Sequence, residues 1–105
     1  MRIAIPISKN SIEAEISTRF SRSPFYAIID KSTQEIQIIS NCYVEQKSGA
    51  GKAIVEFLTS NHKVNAFAAF EIGQKVQEIA SKKKIQLIIL HTRTQTLKQI
   101  QALMN

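Results

Sequence analysis

The hydrophobic positions of this chain fall into two patterns that predict strands. Four segments are almost continuously apolar, as strands buried on both faces of a sheet tend to be: 3–7, 25–29, 64–70 and 85–90. Residues 35–40 instead alternate between polar and apolar side chains, which predicts a half-exposed edge strand. The polar residues 31–34 precede this strand, so we expect a hairpin between it and the segment 25–29.

Three other segments carry apolar residues at helical spacing. These residues are Ala50, Ala53, Ile54, Phe57 and Leu58, then Ile72, Val76, Ile79 and Ala80, and finally Leu97, Ile100 and Leu103. Gly51 and Gly73 lie near the starts of the first two helices, and Thr94 is the predicted N-cap of the third. Alternation of strands and helices in the second half requires right-handed crossovers and parallel pairing. The pattern therefore predicts a three-layer α/β fold, a mixed five-stranded sheet with helices on both faces.

Length and apolar content limit what the chain can be. A chain of 105 residues with 44% hydrophobic content fits one core, so residues 1–105 are expected to form a single domain. No apolar run approaches the roughly 20 residues that span a bilayer, and the start of the sequence has no signal-peptide pattern. We expect a cytoplasmic protein with no membrane partner.

Charge and side-chain chemistry exclude several functions. The net charge of +6 favours an anionic partner, and the few aromatic side chains, without Trp, disfavour nucleic acid. Cys42 is the single cysteine, which excludes a disulfide or a four-thiolate metal site within one chain. Asp30 is the single aspartate, so the carboxylates of a two-metal nuclease are missing. No catalytic triad is legible, and we expect no enzyme activity.

Ligands of open α/β sheets bind beyond the carboxyl ends of the parallel strands, and that rule points to one rim. The rim is expected to contain residues 8–10, 71–73 and 91–93, covered by the loop 17–22. Its cations are Arg19, Arg22, Arg93 and Lys9, near helix starts at Gly51, Gly73 and Thr94. This set suits a multiply charged anion such as a phosphate, a polycarboxylate or a homocitrate-bearing metal cluster. The alternative is that the arginines pair with Glu13, Glu15 or Glu71 and only hold the loop.

Residues 48–53 are similar to a phosphate-binding loop but do not match it. In the pattern G-x-x-x-x-G-K-[ST], Gln46 replaces the first glycine and Ala53 the hydroxyl residue that binds magnesium. Nucleotide hydrolysis is therefore disfavoured. The glycines either permit a tight loop or serve a bound ligand.

Two side chains, His91 and Cys42, are candidates for metal binding. His91, at the end of the last predicted strand, is the better placed of the two histidines. His62 lies where a helix is expected to end, and a cationic His there complements the helix dipole. Cys42 is either a soft metal ligand or a small buried hydrophobe.

Three short motifs together resemble a known family. They are Ser17-Thr18-Arg19-Phe20-Ser21-Arg22-Ser23-Pro24-Phe25-Tyr26, Ser48-Gly49-Ala50-Gly51 and Glu71-Ile72-Gly73. In order and spacing they are similar to the dinitrogenase iron-molybdenum cofactor-binding family of small α/β domains. Members commonly carry a His where this chain has Arg19. The resemblance implies a ribonuclease H-like architecture and a nitrogenase accessory factor-like role.

The same resemblance implies a function and a site. It suggests a non-enzymatic carrier or accessory protein for an iron-molybdenum cofactor or iron–sulfur cluster, with cofactor-assembly proteins as partners. The implied cofactor-binding residues are Arg19, Phe20, Arg22, Gly49, Gly51, Glu71 and Gly73, with His91 or Cys42 as the metal ligand.

A second function from a different class stays open. Lys75, Lys98 and the run 82–84 could form a basic module that binds nucleic acid or an acidic protein. Lysines at the end of a helix also complement its dipole without any partner. The exposed edge strand 35–40 leaves a homodimer open as well.

Overall fold

A computed structural model of the chain describes residues 1–91 and 96–103. Its strands are β1 (Arg2–Ile7), β2 (Phe25–Asp30), β3 (Ile36–Ser40), β4 (Ala66–Ala69) and β5 (Gln86–Ile89), and its helices are α1 (Ala50–Glu56), α2 (Gln74–Lys82) and α3 (Leu97–Leu103). A π-helical segment, Phe57–Asn61, continues α1 directly. All five predicted strands and three predicted helices are confirmed. Arg93 and Thr94, predicted as a rim cation and a helix cap, lie outside the described residues.

The five strands form one mixed sheet in the order β3-β2-β1-β4-β5. β1, β2 and β3 pair antiparallel, which confirms the hairpin, and β4 and β5 join in parallel through β1. This is the ribonuclease H-like arrangement that the family resemblance implied. Because β1 and β4 are parallel and central, their carboxyl ends meet at one edge of the sheet.

Buried side chains cover both faces of the sheet, as expected for three layers. One cluster lies under α1 and α2 and includes Phe20, Tyr26 and Phe67. The other lies under α3 and the segment 14–16 and includes Ile5, Ile7 and Leu97. Among the described residues, no helix combines the length and the apolar composition that crossing a bilayer would need.

The last strand differs from its prediction. Residues 85–90 were expected to be buried on both faces, but in β5 Gln86 and Ile89 are exposed, with Ile89 at 48%. The reason is topological, since β5 is an edge strand with β4 as its neighbour. A continuous apolar run identifies a strand without telling its place in the sheet.

His62 also differs from its prediction. The carbonyl of His62 accepts a hydrogen bond from Arg2 Nε at 2.7 Å, and its ring packs edge-on against Phe57. Burial, and then the charge of Arg2, lower the pKa of His62 below its ordinary 6.5. At neutral pH the ring is therefore uncharged, and the cationic group near the end of this helical segment is Arg2.

Lys84 occupies a backbone conformation that suits glycine. Its φ is 59°, and the amides of Lys84 and Ile85 donate to Ser81 O and Ala80 O, which closes α2 in a Schellman arrangement. We expect Lys84→Gly to raise the free energy of unfolding by about 1 kcal/mol, because glycine lacks the Cβ that makes this region costly. Urea denaturation measures the change. Lys82→Gly, the same change inside α2, should lower stability by about 1 kcal/mol; equal effects at both positions would contradict the assignment.

The lowered pKa of His62 sets a pH dependence. The unfolded chain takes up a proton on His62 near pH 6.5, whereas the folded chain does so only at lower pH. Stability from this residue is thus present above pH 6.5 and is lost as the pH falls through the folded pKa. We expect urea midpoints to drop between about pH 7.5 and 5 in the wild type and to drop less in His62→Gln; parallel curves would exclude this contribution.

Candidate functional site

The segment 16–20 is held between the carboxyl ends of the two central parallel strands. Ile16 pairs with Ile7 at the end of β1, and Arg19 pairs with Glu71 just beyond β4. The amide of Ser17 donates to Pro6 O at 2.9 Å. The loop 17–22, which carries Arg19 and Arg22, therefore lies at this rim of the sheet, as predicted.

Phe20 anchors this loop in the core. Its side chain is 1% exposed, and its ring centroid lies 4.5 Å from that of Phe67 and 5.3 Å from that of Tyr26. The Tyr26 hydroxyl donates to Phe20 O, and burial raises the pKa of Tyr26, which keeps this donor protonated. Arg19 and Ser21, on either side of the anchor, are thereby fixed at the surface.

Two buried polar side chains complete the support of the loop. Ser23 Oγ lies 2.9 Å from Ile7 O and 2.8 Å from Ser17 Oγ. The side-chain amide of Asn41 donates through Nδ2 to Ser23 O at 2.9 Å and to Ser21 O at 3.2 Å. Both side chains are at most 4% exposed, so these bonds are shielded from water.

Two adjoining grooves flank the loop. The first, of about 530 Å³, lies between the starts of α1 and α2, and the second, of about 680 Å³, lies beyond the end of β4. Ser21, Arg22 and Gly73 line both grooves, so the two share a wall.

The first groove is strongly cationic. Of the described residues that line it, five carry positive charge and one carries negative charge: Arg22, Lys47, Lys52, Lys75 and Lys82 against Glu78. The second groove carries fewer charges, with Arg19, Arg22 and Glu71 among the described residues that line it, beside Phe70 and Ile72. Neither α1 nor α2 has a side-chain N-cap hydrogen bond, so no capping side chain occupies the amides of their first turns.

The three glycines near the grooves have three different reasons. Gly49 precedes α1 with φ 73°, which favours glycine. A Cβ on Gly51 would lie 3.2 Å from Val76 Cγ2, so Gly51 permits the close approach of α1 and α2. Gly73 has φ −61°, and a Cβ there would meet nothing within 4 Å. Neither backbone nor packing requires glycine at position 73, which instead leaves open space where the grooves join.

The hydrogen-bond acceptors of Arg22 are not the glutamates that the alternative proposed. Its Nη1 donates to Val44 O at 3.0 Å and to Gln46 O at 2.6 Å, which are uncharged acceptors. Glu13, one of the proposed partners, instead lies 3.6 Å from Lys98 Nζ. The positive charge of Arg22 is therefore not cancelled by these contacts.

The predicted cofactor-binding residues come together at the grooves. Arg22, Gly49, Gly51 and Gly73 line the first, and Arg19, Phe20, Arg22, Glu71 and Gly73 line the second. Phe20 takes part mainly as a buried anchor, as described above. Lys9, predicted as a rim cation, lines neither groove.

The two candidate metal ligands lie elsewhere. Cys42 and His91 are both exposed, and neither lines a groove. Within residues 1–91 and 96–103, no three His, Cys, Asp or Glu side chains are close enough to hold a metal ion together.

Sequence reasoning did not single out Lys47 and Lys52, and it considered Lys75 and Lys82 only for a basic interaction module or as helix-end lysines. A signal was present, because Lys52 follows Gly51 directly and Lys75 lies two residues after Gly73. A cation in the first turn of each helix, beside a glycine of the site, is well placed to face the same ligand.

Comparison with known proteins places this geometry among similar folds. The family model described as dinitrogenase iron-molybdenum cofactor matches residues 1–105. The apo form of the orange protein from Desulfovibrio gigas has a TM-score of 0.82 at 19% identity, with 94% of this chain and 82% of that chain covered. A NifB-like protein from Thermotoga, solved by NMR, has a TM-score of 0.76 at 18% identity, with 97% and 85% covered. No curated protein sequence matches the chain.

The different roles of Gly49 and Gly73 can be separated by stability. We expect Gly49→Ala to lower the free energy of unfolding by about 1–2 kcal/mol, because alanine is disfavoured at a φ of 73°. Gly73→Ala should change it by no more than about 0.5 kcal/mol, since its backbone is extended and its surroundings are open. Urea denaturation of both variants measures the contrast, and a loss above 1 kcal/mol for Gly73→Ala would show a structural need for this glycine.

Proposed function

This chain belongs to the dinitrogenase iron-molybdenum cofactor family, and on that premise we propose that it binds an anionic, metal-containing cofactor in the two adjoining grooves. The cofactor would be of the iron-molybdenum or iron–sulfur cluster type. The chain would act as a carrier or accessory protein, with cofactor-assembly proteins as partners. We propose binding without catalysis.

One observation carries the proposal. Three motifs that are far apart in the sequence meet around the two grooves, at Arg19 to Arg22, at Gly49 to Gly51 and at Glu71 to Gly73. The same residues leave Gly73 with open space on its Cα, a position where a ligand can approach the backbone. Such convergence at the carboxyl ends of parallel strands is typical of ligand sites in α/β folds.

The charge of the first groove supports an anionic ligand. Four lysines line this space, and Arg22 adds a positive charge, since the carbonyl oxygens that accept its hydrogen bonds do not balance that charge. Cations held near one another repel unless an anion lies between them. A cluster with several negative charges would relieve this repulsion and accept charge-assisted hydrogen bonds.

The donor set favours charge and hydrogen bonding over direct metal ligation. The grooves contain no histidine or cysteine among the described residues that line them, and their carboxylates are Glu71 and Glu78. They fit an anion that brings its own metal ligands. Cys42 and His91 remain candidates for a ligating role outside the grooves, and substitution tests them.

A second candidate is a basic module that binds nucleic acid. The grouping of Lys47, Lys52, Lys75 and Lys82 in one groove favours it. If the four lysines contact single-stranded phosphates, raising the salt from roughly 50 to 200 mM would weaken binding about 50-fold. A labelled single-stranded oligonucleotide tests this directly, with an acidic protein surface as the remaining possibility.

Anaerobic titration with a thiolate-capped [4Fe–4S] cluster and with isolated iron-molybdenum cofactor tests the proposed function. We expect saturable binding and co-elution for the wild type, and about tenfold weaker binding for Lys75→Glu, which corresponds to roughly 1.4 kcal/mol. Lys31→Glu, an equal charge change in the exposed β2–β3 turn, is the matched control and should bind as the wild type does.

Three further variants separate the alternatives. Cys42→Ser and His91→Ala should bind normally if the grooves hold the cluster without them. Arg19→His restores the residue that family members commonly carry, and binding by this variant alone would mean that the wild-type chain has lost the ligand. Tight oligonucleotide binding together with no cluster binding by any variant would overturn the proposal in favour of the second candidate.

A further inference from the structure

Arg22 links two loops of the site. It belongs to the loop 17–23, and its guanidinium reaches into the loop 41–48 that leads to α1. There Nη1 donates to Val44 O at 3.0 Å and to Gln46 O at 2.6 Å. One side chain thus binds the carbonyls of the residues before and after Glu45, which restrains the backbone between them.

Asn41 makes the opposite connection. It belongs to the loop 41–48, and its side-chain Nδ2 donates to Ser23 O at 2.9 Å and to Ser21 O at 3.2 Å in the loop 17–23. Its Oδ1 accepts from the amide of Tyr43 at 2.8 Å, which fixes its own loop as well. Asn41 is 4% exposed, so water does not readily replace these bonds.

The two side chains therefore form a reciprocal clasp, in which each loop holds backbone carbonyls of the other. The loop 41–48 contains no strand or helix, and its own backbone contributes the bond from Gln46 N to Tyr43 O at 3.0 Å. This loop carries Lys47 and leads to Gly49, which both line the first groove. The clasp is thus placed to set the position of one wall of that groove.

From these contacts we infer that Arg22 and Asn41 are positioning residues, which fix the wall of the cationic groove and thereby set its affinity. The inference rests on the proposed function for its ligand, while the clasp itself is a property of the protein alone. A guanidinium held by two carbonyls acts through the loop that it fixes, and the lysines of the groove supply the contacts to the anion.

Salt dependence separates positioning from contact. With the capped [4Fe–4S] cluster as probe, we expect Arg22→Met and Asn41→Ala each to weaken binding about five- to tenfold. Asn41→Ala, which changes no charge, should leave the salt dependence of binding unchanged. Lys52→Met, which removes a charge that lines the groove, should reduce the salt dependence. The double variant Arg22→Met/Asn41→Ala should bind about as weakly as either single variant, because both substitutions open the same clasp.

Hydrogen exchange tests the clasp without any ligand. Amides of residues 42–48 should exchange faster in both variants than in the wild type, and amides of the loop 17–23 should do so in Asn41→Ala. Circular dichroism checks that the variants fold. If Asn41→Ala does not fold, Arg22→Met, a substitution at an exposed residue, provides the test through the exchange of amides 42–48.

The outcomes distinguish this inference from the proposed function. Faster exchange in the loops together with no cluster binding by the wild type would support the clasp and overturn the proposed ligand. Cluster binding that is weakened in Arg22→Met but not in Asn41→Ala would show that Arg22 acts on the anion through its charge and not through the clasp, which overturns the inference. Unchanged exchange in both variants would overturn it as well.

Discussion

Phe20 packs against Phe67 and Tyr26 under the carboxyl ends of the central strands, and the loop that carries both arginines takes its position from that contact. Burial of a phenylalanine side chain stabilises a fold by roughly 1.5–3 kcal/mol. Here that free energy adds to the backbone pairing of Ile16 and Arg19 in holding the loop at the end of the sheet. The hydrogen bond from the Tyr26 hydroxyl to Phe20 O also holds the backbone of the loop in place. The core and the site are therefore one construction, and the arginines are displayed because an aromatic ring between them is buried.

The cations of the first groove place a second constraint on the fold. Side chains of like charge that line one space repel one another, and the repulsion is larger where walls of protein replace water. The folded chain accepts this cost at Lys47, Lys52, Lys75 and Lys82, with Glu78 as the carboxylate among the described lining residues. An anion bound only by the folded state would stabilise it by mass action. Any anion that binds only the folded state there would in this way couple its binding to folding stability.

The sequence predicted the architecture better than the detail of the site. Runs of apolar residues and helical spacing located all five strands and three helices, because burial imposes those periods on any sheet with covered faces. The prediction overestimated the burial of β5, because a continuous apolar run such as the one that contains Ile88 and Ile89 looks the same in an edge strand as in a central strand. Arg19, Arg22 and the three glycines, which the motifs singled out, line one or both of the adjoining grooves. The carbonyl partners of Arg22 and the contribution of Asn41 could not be predicted, because both depend on how two loops that are remote in sequence approach each other.

The wall that both grooves share limits how the site can change during evolution. Ser21, Arg22 and Gly73 line both spaces, so any substitution among them alters the first and the second groove together. Lys47, Lys52 and Lys82 line one groove and Ile89 lines the other, which leaves these positions free to vary separately. Substitutions that change one groove without the other are thus expected at such outer positions. The shared wall is the part of the site where a change of specificity requires several coordinated substitutions.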